Sequence, residues 1–337
     1  MRAMFLVLTL VCFLTNSGKG QQLGTSDLTF MFYNVENLFD VRDDSLTRDE
    51  AFLPDGDRYW TYGRFLQKLN HIYKVIAGVG EWQPPAVIGL AEVENRYVLE
   101  ALLQETPLHR FGYEIIHQES PDARGIDVAL LYRSELFEIQ RQDFIQVDLP
   151  NRRKTRDIVY VQGVVGQTDT VHLYVNHWPS RYSGTKLSEP SRIVAAETLK
   201  SHIRGITSKE PDGKILVTGD FNDSPEDVSL QLLLEDSRLK NISSYKFDGT
   251  HKHQGEWSVL DQWLASNSWF GNNEGVYLEG GRAKVFSANW LLEEDVAHIG
   301  YKPRRTYVGF KYQGGFSDHL PIYLTIKHRP LLGNLNE

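Results

Sequence analysis

The chain has 337 residues, a formal charge of −8 at pH 7 and a single cysteine, Cys12. That acidic balance excludes a protein that coats nucleic acid through bulk positive charge and leaves room only for a local basic patch. A lone cysteine excludes an internal disulfide framework, so stability must come from a packed core, which a chain of this length can bury.

The first twenty residues read as a signal peptide. Arg2 gives a positive start, Met4–Leu14 is an apolar run too short to span a bilayer comfortably, and Thr15–Gly20 is small and polar. Cutting after Gly20 removes Cys12, Arg2 and Lys19 and takes the formal charge from −8 to −10. Residues 21–337 are then expected to form one exported domain, periplasmic or secreted, and a monomer.

The first strand, Leu28–Tyr33, is rich in branched and aromatic residues and runs into Asn34-Val35-Glu36-Asn37. A helix follows, because Phe65, Leu66, Leu69, Ile72, Tyr73, Ile76 and Val79 share one face. Ala86–Leu90 is apolar on both faces, so Glu92 should emerge at the end of a buried strand. Asp127–Tyr132, Ile158–Val165 and Val171–Val175 are further strands, the last running into Asn176-His177-Trp178. Arg192–Ile203 is a second helix, with Pro190 near its start and Ser188 or Ser191 as its cap. Ile215–Val217 leads to Gly219-Asp220-Phe221-Asn222-Asp223, where spacing of two on extended chain puts Asp220 and Asn222 on one face. Ser224-Pro225-Glu226-Asp227 reads as the next helix start. Val259–Ala265 and Pro321–Ile326 close the series, the latter preceded by Ser317-Asp318-His319. The stretches 40–60, 240–258 and 270–315 read as surface loops, and no linker or fixed-period repeat divides the chain.

Each polar strand end has an ordinary explanation by itself: a solvated carboxylate, an Asx turn, a histidine packed beside a tryptophan. Their recurrence points to one shared site. Hydrolysis of a phosphodiester needs a divalent cation on the phosphate oxygens, a group to orient and deprotonate water, and donors for the charge that builds on phosphorus. Carboxylates, amides and histidines supply all three. The runs Arg152–Arg156 and Arg181–Arg192 are candidates for the local basic patch.

In this order the pieces resemble the endonuclease/exonuclease/phosphatase superfamily, the DNase-like metal-dependent phosphoesterases. The resemblance spans residues 28–326 and rests on Asn34 with Glu36, Glu92, Asp127 within Gly125–Tyr132, Asn176-His177, Gly219-Asp220-Phe221-Asn222, Asp261 within Val259–Gln262, and Ser317-Asp318-His319. It implies a four-layer α/β sandwich, two packed mixed or antiparallel sheets with helices on the outer faces. It also implies roles. Glu92 is the principal metal ligand, with Glu36, Asp318 and Asn34 around it, and the metal is Mg2+, with Mn2+ or Ca2+ as alternatives. Asn34 and Asn222 contact the phosphate or the metal-bound water, and Asp220 orients or deprotonates the nucleophile. His319, held by Asp318 or Asp261, donates to a phosphate oxygen. His177 is a second phosphate-facing histidine or an acid for the leaving oxygen, with Asp127 as its orienter. Arg124, Arg156 and Asn176 are expected on the phosphate side. Some members carry Asp where this chain has Glu36, and some carry Tyr or Asn where it has His177. The expected activity is that of an exported endonuclease on nucleic acid. The alternatives are a phosphatase or phosphodiesterase on phospholipid headgroups, inositol phosphates or nucleotides, and a non-catalytic binding module. The last is disfavoured because no metal or water-activating position is missing.

Overall fold

The computed structural model describes residues 27–328, apart from 151–152, 167–168, 183, 244–248 and 271–274. The expected signal peptide and Arg152 therefore lie outside the described residues. In chain order the first half runs β1 (Leu28–Leu38), α1 (Tyr62–Gly80), β2 (Val87–Val93), α2 (Arg96–Gln104), β3 (Tyr113–His117) and β4 (Asp127–Arg133). Strands β5 (Phe137–Ile145) and β6 (Ile158–Val165) lead to β7 (Asp169–His177), α3 (Thr185–Thr207), β8 (Lys214–Asp220), α4 (Val228–Leu234) and β9 (Leu239–Asn241). A hairpin of β10 (His251–His253) and β11 (Glu256–Ser258) precedes β12 (Asp261–Ser266). Six short strands follow before β19 (Ile322–His328): β13 (Val276–Leu278), β14 (Lys284–Val285), β15 (Leu292–Glu294), β16 (Tyr301–Pro303), β17 (Tyr307–Val308) and β18 (Lys311–Tyr312).

One sheet has the strand order β13-β19-β1-β2-β4-β3, and the other β5-β6-β7-β8-β12-β9. Each contains a single parallel pair near its centre, β1 with β2 and β7 with β8, and antiparallel neighbours on both sides. Each parallel pair is bridged by a helix, as parallel pairing requires. The order strand–helix–strand–helix–edge strand–strand thus occurs twice, as β1 to β4 and as β7 to β12. The repeat is one of topology, and unequal loop lengths hide it from a search for a fixed period.

Period-two alternation assembles the layers. On β1, Phe30 and Phe32 enter the core between the sheets, while Met31, Tyr33 and Val35 pack under α1 and α2. On β7, Val171, Leu173 and Val175 face inward and Tyr174 faces α3; on β8, Leu216 faces inward and Ile215 and Val217 face outward. The result is the expected four-layer sandwich, with three apolar clusters between its layers. The sheets pack tightly at Gly89, where an added Cβ would meet Val175 Cγ1 at 2.9 Å and Phe32 at 3.2 Å.

Several boundaries differ from expectation. Helix α3 starts at Thr185, seven residues before Arg192, with Pro190 inside it. The Ser224–Asp227 segment is a turn and not yet helix, because the Asp227 carboxylate accepts from Ser224 N at 2.7 Å; α4 starts at Val228. Helix α2 and strands β3 and β5 add to the expected elements, α2 being capped by Asn95, which accepts from Val98 N. The long stretches 240–258 and 270–315 contain short hairpins. No helix among the described residues is long and apolar enough to cross a membrane.

Candidate active site

Parallel strands end on the same edge, and their antiparallel neighbours begin there. The ends of β1, β2, β7 and β8 and the starts of β4, β6, β12 and β19 therefore converge. The inward alternation continues into polar residues at this edge: Phe30, Phe32, then Asn34; Leu173, Val175, then His177; Leu216, Thr218, then Asp220; and, read backward, Ala265, Trp263, then Asp261. Four inward registers that carry core residues deeper in the sandwich thus end in an amide, an imidazole and two carboxylates. The chain then turns sharply out of the sheets. Glu36 (φ 53°), Glu92 (φ 63°) and Asn222 (φ 51°) all occupy the left-handed region, which is uncommon for such residues and clusters at functional sites.

The polar groups form a connected set. Asn34 donates its amide to Asp220 Oδ2 at 3.0 Å and to Glu92 Oε1 at 3.4 Å. Asn37 N donates to Glu92 Oε2 at 3.0 Å, and Asn222 N to Asp220 Oδ1 at 2.8 Å. His177 Nε2 lies 3.6 Å from Asp220 Oδ2 and 3.9 Å from Glu92 Oε1. On the other side, His319 Nε2 lies 3.8 Å from Asp220 Oδ2, and its Nδ1 meets Asp261 Oδ2 at 2.7 Å. Ser317 ties the segment before β19 to the end of β1: its hydroxyl donates to Asn34 O and accepts from His319 N.

The electrostatics separate the two histidines. Burial alone works against a charged His319, but the carboxylates of Asp261 and Asp220 outweigh it and hold its pKa well above the ordinary histidine value. His177 is driven well below that value by burial, with Arg156, Arg124 and His319 adding repulsion. Burial lifts Asp220 to about 6 against the pull of the His319 imidazolium. The site thus holds an imidazolium donor, a neutral imidazole and a carboxylate poised as a base near neutrality.

Two groups of carboxylate and imidazole atoms lie close enough to share an ion: Asp220, Asp261 and His319, and His251, Asp318 and His319. Both include His319, whose proton already balances the carboxylates around it. Glu92 is different. Its side chain is 14 % exposed, the imidazole beside it is kept neutral, and it faces Asp220 across the Asn34 amide. A carboxylate at a solvent-reached edge beside a neutral imidazole fits a divalent cation better than a group that already includes an imidazolium.

Other expected residues take different places. Both Glu36 oxygens are engaged, by Arg305 Nε at 3.2 Å, Thr306 N at 2.6 Å and Tyr307 N. Burial raises its pKa to about 7, with buried Lys68 and Arg305 opposing. Glu36 thereby braces the 305–307 segment. Asp318 faces Arg305 Nη2 at 2.8 Å and not the ring of its neighbour His319, which Asp261 orients. Asp127 does not reach His177. It holds His117 Nε2 at 3.2 Å and accepts from Ser120, the place in the first topological repeat that Asp261 takes in the second. Asn176 points to the helix side, donating to Thr218 O and accepting from Trp178 Nε1, so its amide is used up within the fold. Arg156 is buried, paired with Asp122 at 3.0 Å and donating to Trp178 O, the carbonyl that Asn222 Nδ2 also reaches. Arg124 sits half-exposed near the same Asp122. The Arg181–Arg192 run is spent internally, since both arginines close on Asp223. Sequence reasoning missed Arg305, Lys68 and His251; the His251 ring lies 4.8 Å from that of His319, and the His-Lys-His run was its one signal.

A family model described as the Endonuclease/Exonuclease/phosphatase family matches residues 29–328. No curated protein sequence matches the chain. Solved structures share its fold. A mannosyl-6-phosphatase of Bacteroides thetaiotaomicron is 16% identical, with a TM-score of 0.57 over 89% of this chain and 99% of that one. The human Nocturnin catalytic domain with bound sulfate anion is 15% identical, with a TM-score of 0.57 over 90% and 95%. A truncated Caenorhabditis elegans TDP2 is 18% identical, with a TM-score of 0.55 over 89% and 98%.

Proposed function

Because the chain belongs to the endonuclease/exonuclease/phosphatase family, we propose that it is a metal-dependent phosphodiester hydrolase, and specifically an exported endonuclease. The observation that carries this reading is the placement of Asp220 Oδ2 between the His177 imidazole at 3.6 Å and the His319 imidazole at 3.8 Å, with Asn34 linking it to Glu92. Glu92 would hold the cation, for which magnesium or manganese suits the oxygen donors; when bound it neutralises phosphate oxygens. Asn222 N fixes Asp220 Oδ1 and Asn34 steers Oδ2, so the carboxylate is oriented to take a proton from attacking water. His319, charged and held through Nδ1 by Asp261, presents Nε2–H to a phosphate oxygen as charge builds there. His177 stays neutral and so adds a hydrogen-bonding group without repelling the metal. Export is supported by the apolar leader at residues 4–14.

A substrate panel tests the reading. Protein is incubated with plasmid DNA, RNA, phosphoinositides and a chromogenic phosphodiester, each with magnesium, manganese, calcium or chelator. Nicking of DNA and release of chromophore with magnesium or manganese, and none with chelator, is the expected result. Turnover of lipid alone would retain the chemistry and remove the nuclease assignment. Silence on every substrate would remove both.

A further inference from the structure

A cavity of about 400 Å³ opens beside the end of β7 and is walled by Arg124, Arg153, Lys154, Thr155, Arg156 and Tyr182. It adjoins the candidate active site through Trp178, whose carbonyl is shared by Arg156 and Asn222. Among the described residues, four cationic side chains meet there with one lining carboxylate, Asp122, in a molecule whose overall charge is negative. Among the described residues, two buried polar atoms in its wall have no partner: Nε of Arg156, a residue only 5 % exposed, and Oγ1 of Thr155. Arg153 and Lys154 are exposed, and among the described residues neither is held in a salt bridge. Tyr182 stands almost fully exposed at the same cavity. Across Asp122, a second cavity of about 730 Å³ is lined instead by Asp44, Glu94, Glu119, Asp127 and Asp157. A polyanion leaving the site is drawn to the first cavity and repelled from the second.

We propose that the basic cavity binds the phosphate adjacent to the scissile one in a single nucleic-acid strand, with Tyr182 as a stacking surface for the attached base. This rests on the phosphodiesterase reading and deepens it, since a headgroup carrying one phosphate cannot fill both places. Cationic side chains along a backbone, with an exposed aromatic beside them, are what sequence-tolerant strand binding uses.

The test uses R153A/K154A, exposed positions outside the catalytic set, with Tyr182→Ala as a second variant. Binding of a labelled single-stranded DNA oligonucleotide is measured by fluorescence anisotropy in chelator, and turnover is compared on that oligonucleotide and on thymidine 5′-p-nitrophenyl phosphate. R153A/K154A should weaken oligonucleotide binding by about tenfold or more and flatten its salt dependence, by about 0.7 in log–log slope for each phosphate that is no longer neutralised. KM for the one-phosphate ester should not change. Tyr182→Ala should weaken binding without altering the salt slope. Unchanged oligonucleotide binding in R153A/K154A, equal losses on both substrates, or wild-type protein that binds no oligonucleotide would overturn the proposal. If variant-sensitive binding is seen but neither substrate is hydrolysed with magnesium or manganese, the cavity assignment stands and the hydrolase reading falls.

Discussion

The base role proposed for Asp220 rests on position: inward parity on β8, burial, one oxygen held by Asn222 N and the other by Asn34. A base must be deprotonated to work, so kcat/KM should fall as pH drops through the Asp220 pKa. That value is about 6 without a cation, and a cation beside Glu92 can only favour the carboxylate, so the acid limb should lie at or below about pH 6. A pH profile checks this; an acid limb above pH 7 would contradict it. Asp261→Asn removes the carboxylate that keeps His319 charged and should lower kcat on the order of 10²-fold with little change in stability. Steady-state kinetics with a thermal melt would show otherwise if turnover persists. These residues were legible because alternation is blind to polarity: counting by two from Val175 selects His177 and puts Asn176 on the opposite face. Asp127 was assigned to the wrong histidine, because order along the chain does not say which of His117 and His177 an aspartate at a strand start will meet.

At the level of elements, the site depends on how closely β7 and β8 run together. Gly219 sits at φ 152°, and an added Cβ would meet the backbone oxygen of Asn176 at 2.2 Å, so no side-chain rotation relieves the clash. Gly219→Ala should destabilise the fold by roughly 1–3 kcal/mol and displace Asp220, lowering activity more than stability alone explains. Chemical denaturation alongside turnover measures both, and a variant with wild-type values for each would refute it. The end of β2 offers a separate pH test. Burial lifts Glu94 to about 8, above its ordinary 4.5, with nearby Asp40, Asp49 and Asp44 adding to the rise. An acid whose folded pKa is raised binds its proton more tightly in the folded state, so its contribution is fully present below about 4.5 and lost as pH rises through about 8. Glu94→Gln keeps an acceptor for Asp40 N and should therefore stabilise the protein at pH 9 by on the order of a few kcal/mol, and far less at pH 5. Equal effects at the two pH values would count against this account.

The whole molecule brings together groups from residue 34 to residue 319 by one device used twice, a helix-bridged parallel pair whose strand ends share an edge. That is why the sheets and the inward polar residues were readable from the chain, since both follow from period two. The parts that were not readable lie between the strands. Arg305 and Lys68 compensate Glu36 from segments with no shared pattern, and the His-Lys-His run that carries His251 does not say that a short bridge brings it to His319. Charge is also distributed at this scale, with a basic and an acidic cavity on either side of Asp122 in a chain of net charge −8. All of it converges on one claim, that Asp220 activates water for attack on a phosphate ester beside a metal held at Glu92. The most direct measurement is hydrolysis of a chromogenic phosphodiester by wild type and Asp220→Asn, with chelator and then with added magnesium or manganese, circular dichroism verifying that both are folded. Wild-type turnover should vanish in chelator and return with metal, and Asp220→Asn should be slower by on the order of 10²-fold or more under every condition. Metal-independent turnover, or a folded Asp220→Asn protein that matches wild type, would contradict the account.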